Sequence, residues 1–165
     1  MNSKWLFLIG VLVINSCIEN PHHMDQEQVA IEQLINECYL EGALNAMDTR
    51  KMEVGYHKDF AIFFKKDDEL AKLPLEEWIA MIENYKHDDN KIEGLREFKG
   101  EIVQIDVTED VAFVKLKLLR REQLIFTDYI TLLKYDSEWK IVTKCIFSSI
   151  LTTEYHEADH LISWS

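Results

Sequence analysis

Between Asp25 and Ile150 the hydrophobic rhythm of the chain changes once, from helical spacing to strict alternation. In the first half, Val29, Ile31, Leu34, Ile35 and Cys38 lay a stripe along one face of a first helix. Asp25 followed by Gln28 resembles a capping box at its start, and Gly42 falls near its end. Asp48 is placed to cap a second, shorter helix running through Met52. "FAIFF" then reads as a buried strand, "KKDDE" as a hairpin turn and "LAKL" as the returning strand. Pro74 sits at the first position of a third helix, whose Leu75, Trp78, Ile79, Ile82 and Tyr85 recur at helical spacing.

From Ile92 to about Ile150 the period drops to two, broken by the polar turns "TED", "RRE" and "DSE". In "VAFVKLKLL", Ala112, Val114, Leu116 and Leu118 share one face while Lys115 and Lys117 share the other. In "EWKIVTKCIF", the alternation sends Trp139, Ile141, Cys145 and Phe147 one way. Lys140 and Lys144 go the other way, so Lys144 reads as solvated or interfacial. Four long antiparallel strands follow from this pattern. Helix, helix, hairpin, helix and a four-stranded meander segregate into an α+β domain.

The first twenty residues stand apart. "MNSK" brings one positive charge, "WLFLIGVLVI" is a ten-residue apolar run, and "NSC" follows, the layout of an export signal. Ten apolar residues are about half of what a membrane span needs. Ile14-Asn15-Ser16-Cys17 resembles a bacterial lipobox, which makes Cys17 the lipidated first residue of the mature protein. The expected division is a signal peptide over 1–16, a tether over 17–24, a folded domain over 25–150 and a C-terminal extension over 151–165. The expected location is that of an exported bacterial lipoprotein, held at a membrane by its acyl chains and facing the periplasm or the cell exterior.

Composition narrows the partners. At 165 residues and 47% hydrophobic, the chain can bury one sizeable core. Thirty acidic residues against 18 basic ones give a net charge of -12, which repels phosphate backbones and makes nucleic acid a poor partner. With Cys17 acylated, Cys38 and Cys145 remain among apolar neighbours, where free thiols pack as small hydrophobes.

Several stretches together look like one known family. "YLEG" on the first helix, "HKDF" entering the first strand, "EEWI" on the third helix and "EDVAFVKLKL" are joined by "FTDYITLLKYDSEWKIVTKCIF", which closes the sheet. Over roughly residues 25 to 150 they resemble the putative lumazine-binding family. That family lies within the nuclear-transport-factor-two-like superfamily of scytalone dehydratase, ketosteroid isomerase and the polyketide cyclases. "HKDF" has lysine where the family usually has proline, and Glu109 replaces a usual glycine. The resemblance implies a cone, or cystatin-like roll: a curved antiparallel sheet wrapped around helices, with an apolar cavity between. It also implies a possible homodimer through the outer sheet face.

One motif competes with this reading. His156-Glu157-Ala158-Asp159-His160 satisfies the zinc-binding pattern of two imidazoles one helical turn apart with a glutamate between. A third ligand is expected beyond the second histidine, where only Leu161 to Ser165 follow, and Asp159 adds an unwelcome charge. The motif is therefore read as a polar helical turn, with no metal and no cofactor expected.

Candidate site residues come from the strands and helix faces around the implied cavity. Asp128 is in register with Leu124, Phe126, Ile130 and Leu132, and a carboxylate on an apolar face would be a general acid or base. Tyr129 and Leu133 supply a rival register, and the outward orientation of Asp128 is preferred. His57 and Asp59, just before the first buried strand, form a possible proton relay near a cone's mouth, although turn and strand-entry roles are commoner. Tyr39 on the first helix could hydrogen-bond a developing oxyanion, and Trp78 faces inward as core or as a ligand platform.

Two function classes emerge. One is a lipid-anchored module that binds a small, largely apolar molecule through Tyr39, His57, Asp59, Trp78 and Asp128. The other is a cofactor-free isomerase, dehydratase or cyclase, with Asp128 or Asp59 as base and Tyr39 or His57 as donor. No cone enzyme's full catalytic pattern maps onto these positions, which tilts the balance toward binding.

Overall fold

The computed structural model describes residues 21–92 and 94–149. The signal segment with Cys17 and the HEADH motif lie outside the described residues.

Helix α1 spans Pro21–Leu34. It starts four residues before Asp25, so residues 21–24 are helical rather than tether, and Asp25 lies inside the helix instead of capping it. Proline at the first helical position surrenders an N–H that would have had no partner there. Ile31 and Ile35 are fully buried, but Val29 is 53% exposed. Two residues apart on a helix means roughly opposite faces, and Val29 falls off the stripe.

The chain continues without a break as a π-helix over Ile35–Asn45, closed by the Ala46 N–H donating to the Glu41 carbonyl at 2.9 Å. Helix α2 (Thr49–Gly55) is capped by Asp48, whose carboxylate accepts from the Arg50 N–H at 3.2 Å, and runs beyond Met52. Helix α3 covers Leu75–Lys86, with Pro74 as its extended cap rather than its first helical residue.

The strands are β1 (Tyr56–Lys66), β2 (Glu69–Pro74), β3 (Lys99–Thr108), β4 (Val111–Arg120), β5 (Gln123–Tyr135) and β6 (Glu138–Ser148). They form one curved, unclosed sheet in the order β2-β1-β6-β5-β4-β3. Three hairpins turn on Asp67-Asp68, Arg121-Glu122 and Asp136-Ser137, all with positive φ. Such paired left-handed residues match the twist of the flanking strands. The seam between β1 and β6 is parallel, unlike the all-antiparallel expectation. Everything from β2 to β5 lies between these strands in sequence, which supplies the long crossover that parallel pairing requires.

Two glycines set how closely the π-helix packs. A Cβ on Gly55 would stand 2.3 Å from Cys38 Cβ, and one on Gly100 would stand 2.4 Å from Leu40 Cδ1. Their bare backbones let α2 and β3 pinch the segment that carries Tyr39. Glu27 of α1 ties the helix to the sheet, accepting from Lys134 Nζ and Trp139 Nε1, each at 2.7 Å.

The sheet's curvature decides the site. On β4, Ala112, Val114, Leu116 and Leu118 are buried, as their alternation predicts. On β5 and β6 the ladder slips: Leu132 pairs with Ile141 while Thr131 pairs with Thr143, leaving Val142 as an extra residue. A bulge bends its strand, and one added residue exchanges the two faces for everything beyond it. Trp139 and Ile141 are therefore buried as expected, but Lys144 turns inward, while Cys145 is exposed and Phe147 is 62% exposed. The solvated reading of Lys144 and the buried reading of Cys145 are both corrected by this single residue.

Candidate functional site

Between the π-helix, α3 and the concave face of the sheet lies a partly open cavity of about 90 Å³. Leu44, Ile62, Met81, Leu118 and Ile146 give it aliphatic walls. Trp78, Tyr85, Phe98 and Phe126 give it aromatic ones. Two wider hollows of about 370 and 380 Å³ are shallow surface grooves, and neither is lined by Asp128 or Lys144. The small cavity is the one that holds the chemistry.

Three side chains meet at its polar end. Tyr39 donates its hydroxyl hydrogen to Asp128 Oδ2. Lys144 Nζ donates to Tyr39 Oη at 2.8 Å and lies 3.6 Å from Asp128 Oδ2. The same ammonium sits 4.5 Å from the Tyr39 ring centroid and 4.8 Å from that of Trp78. Amine, phenol and carboxyl thus form a continuous hydrogen-bonded path with π faces around its cationic end. Asp128 Oδ1 is buried and has no protein partner among the described residues.

Burial governs their ionisation. It pushes the Asp128 carboxyl above the usual carboxylate range, against the opposing pull of Lys144 and the Tyr39 hydrogen bond. It also holds the Lys144 amine below its usual value, against the stabilising charge of Asp128. Burial, then the Asp128 charge, raise the Tyr39 phenol well above the ordinary range, so it stays protonated. Burial thus pushes both Asp128 and Lys144 toward their neutral forms, and the two titrate as a coupled pair.

Tyr39, Trp78 and Asp128, three of the residues expected from sequence, line this cavity together. The outward orientation preferred for Asp128 is wrong: it is 1% exposed, because β5 presents Phe126, Asp128, Ile130 and Leu132 to the helices. His57 and Asp59 are not part of the cavity's lining. The His57 ring stacks on Tyr135 at 5.1 Å. Asp59 is exposed, and its hydrogen bond from Lys58 at 2.8 Å lowers its pKa, the opposite of what a base near neutrality needs.

Sequence reasoning missed Lys144, Arg96 and Phe98 as wall residues. Lys144 was hidden by the bulge; the adjacent β-branched pair Ile141-Val142, which interrupts the alternation, is the one signal that pointed to it. Arg96 and Phe98 come from the connection between α3 and β3, which has no period to read. Asn45 pins that connection, donating to the Phe98 carbonyl at 2.9 Å and accepting from its N–H at 2.8 Å.

The comparisons agree with this geometry. The profile of the family described as "Putative lumazine-binding" matches residues 26–147. None of the curated proteins matches the chain. Among solved structures, an NTF2-like protein of unknown function from Shewanella baltica is similar at 26% identity and a TM-score of 0.62, over 77% of this chain and 97% of that one. Another from Methylobacillus flagellatus shares 25% identity at a TM-score of 0.58, over 76% and 94%. A third, from Silicibacter pomeroyi, shares 20% identity at a TM-score of 0.60, over 76% and 98%. With the matched span running from within α1 to within β6, this chain belongs to the family described as "Putative lumazine-binding" and carries the nuclear-transport-factor-two-like fold.

Proposed function

We propose that the protein is a lipid-anchored binding module for a small, largely apolar molecule. The observation that carries this reading is an apolar-walled cavity ending in a buried polar group, Asp128 Oδ1, that lacks a protein partner among the described residues. Unpaired buried acceptors are costly, and a ligand donor relieves the penalty. Family membership supports a ligand-binding role. A space of about 90 Å³ is nearer to the roughly 150 Å³ cavity that holds benzene than to pockets of about 300–1,000 Å³, so the ligand is on the scale of one ring. The anchor belongs to the same proposal and rests on Ile14-Asn15-Ser16-Cys17.

Native mass spectrometry of the protein taken from its own cells tests the reading. A co-purifying small molecule is expected, released by acid that unfolds the chain, and intact-mass analysis should find acyl groups on Cys17. A protein that emerges empty, and whose Trp78 signals do not move on titration with one-ring compounds, removes the binding reading.

A second reading has its own support. The Tyr39–Asp128 hydrogen bond inside the cavity, with the carboxyl raised by burial, is the pairing expected of a cofactor-free acid/base enzyme. Asp128→Asn separates the two: ligand affinity nearly intact with no turnover to lose means binding, whereas lost turnover with retained binding means catalysis.

A further inference from the structure

Among the described residues Lys144 is the lysine that is buried, at 5% exposure. Stability does not explain it. A buried ion pair is commonly no more stabilising than apolar residues of the same volume, yet a bulge in β6 turns this amine into the cavity. There its nitrogen faces apolar and aromatic walls, 2.8 Å from a phenol hydroxyl and 3.6 Å from a carboxyl. An amine in such a setting is a nucleophile with its proton donors already in place.

We propose that the cavity captures small aromatic aldehydes or ketones as a Schiff base on Lys144 Nζ. This rests on the cavity being a ligand site and names the class of ligand it takes. The reacting state is the neutral pair of amine and carboxylic acid, which burial of both groups brings within reach of the ionic one.

The amine lone pair adds to the carbonyl carbon, forming the C–N bond, and the π electrons move to oxygen. That oxygen takes up a proton lost by the nitrogen, with the Tyr39 hydroxyl as relay, giving a carbinolamine. The carboxyl proton of Asp128 then passes to the new hydroxyl, the C–O bond breaks and water leaves. The product is a protonated imine on Lys144 beside the Asp128 carboxylate. Amine, carboxylic acid and carbonyl have become iminium, carboxylate and one water, with no change in net charge and no redox partner. Because Asp128 Oδ2 accepts from Tyr39, the acid proton belongs on Oδ1, which has no protein partner among the described residues and is free to donate to the carbinolamine hydroxyl.

The test treats the full chain with benzaldehyde and sodium cyanoborohydride near neutral pH and maps benzylated lysines by peptide mass spectrometry. Each unit by which an amine's pKa falls raises its neutral fraction about tenfold. Burial lowers the Lys144 pKa and so enlarges its neutral, nucleophilic fraction, and Lys144 is expected to be benzylated severalfold faster than the exposed Lys58, Lys65 and Lys99. Benzyl alcohol, which has the ring but no carbonyl, should slow that labelling by occupying the same space. Lys144→Arg should abolish the fast adduct, although the wild-type map decides the question without it. If Lys144 reacts no faster than the exposed lysines while benzyl alcohol still binds by ligand-observed NMR, capture is overturned and the binding module stands. If benzyl alcohol does not bind either, both readings fall.

Discussion

Lys144→Met tests whether the buried pair is a coupled unit. The wild-type Nζ and Oδ2 are 3.6 Å apart, with side chains only 6% and 1% exposed. At an effective dielectric near 20, that separation corresponds to an attraction of about 5 kcal/mol. Removing the ammonium leaves Asp128 with the Tyr39 hydroxyl as its remaining partner, and the carboxyl recovers part of the loss by taking up a proton. The expected destabilisation is about 3–5 kcal/mol, the range for breaking a buried pair from one side. Replacing both groups by apolar side chains, Asp128→Leu with Lys144→Met, removes the attraction and the desolvation penalty together. That double variant is expected to lie between wild-type stability and about 4 kcal/mol above it. Urea unfolding followed by tryptophan fluorescence and circular dichroism measures both on one scale. The reasoning fails if Lys144→Met alone loses less than about 1 kcal/mol, the figure for solvated pairs. It fails equally if the two substitutions simply add, since independence contradicts a shared buried charge.

Other consequences are testable in parallel. In Lys144→Met the lowering influence of the ammonium on Asp128 is gone, and burial keeps the folded carboxyl pKa above its unfolded value. The folded state then holds the proton more tightly, so the variant should lose stability as pH rises from about 4 toward 7; a flat urea profile there would contradict it. Cys145 should react with a thiol reagent within mixing time. Cys38, buried and with its thiol raised by desolvation and by Glu37, should react only on unfolding; equal rates would refute the outward turn assigned to the bulge. Gly55→Ala forces a Cβ to within 2.3 Å of Cys38 Cβ and 2.6 Å of its sulfur, and should cost about 1–3 kcal/mol in thermal or urea unfolding. Asp48→Ala removes the cap of α2 and should cost about 1 kcal/mol, read the same way.

The candidate site was half legible. Tyr39 and Trp78 sit on helices whose apolar stripes face the sheet, so spacing alone placed them near the cavity. Asp128 was visible as a carboxylate within an apolar register, but Tyr129 and Leu133 offered the opposite register, and only strand pairing chooses between them. His57 and Asp59, for which turn and strand-entry roles were the commoner expectation, lie outside the cavity's lining; proximity to a strand's start says nothing about which way the strand is aimed. Arg96 and Phe98 arrive through an aperiodic connection, where pattern carries no information.

What the amino-acid sequence determined by itself is what local physics can enforce. Helical and alternating spacing specified the order of helices and strands, the polar turns fixed where the meander folds, and Asp48 set the start of α2. Tertiary structure decided what depends on relations between distant segments: the parallel seam between β1 and β6, the pinch of Gly55 and Gly100 on the π-helix, and the inward turn of Lys144. A bulge is a mismatch in length between two strands, and neither strand carries that mismatch alone. Because one extra residue exchanges the faces of everything beyond it, the amine at the heart of the cavity became visible only when β5 and β6 were paired.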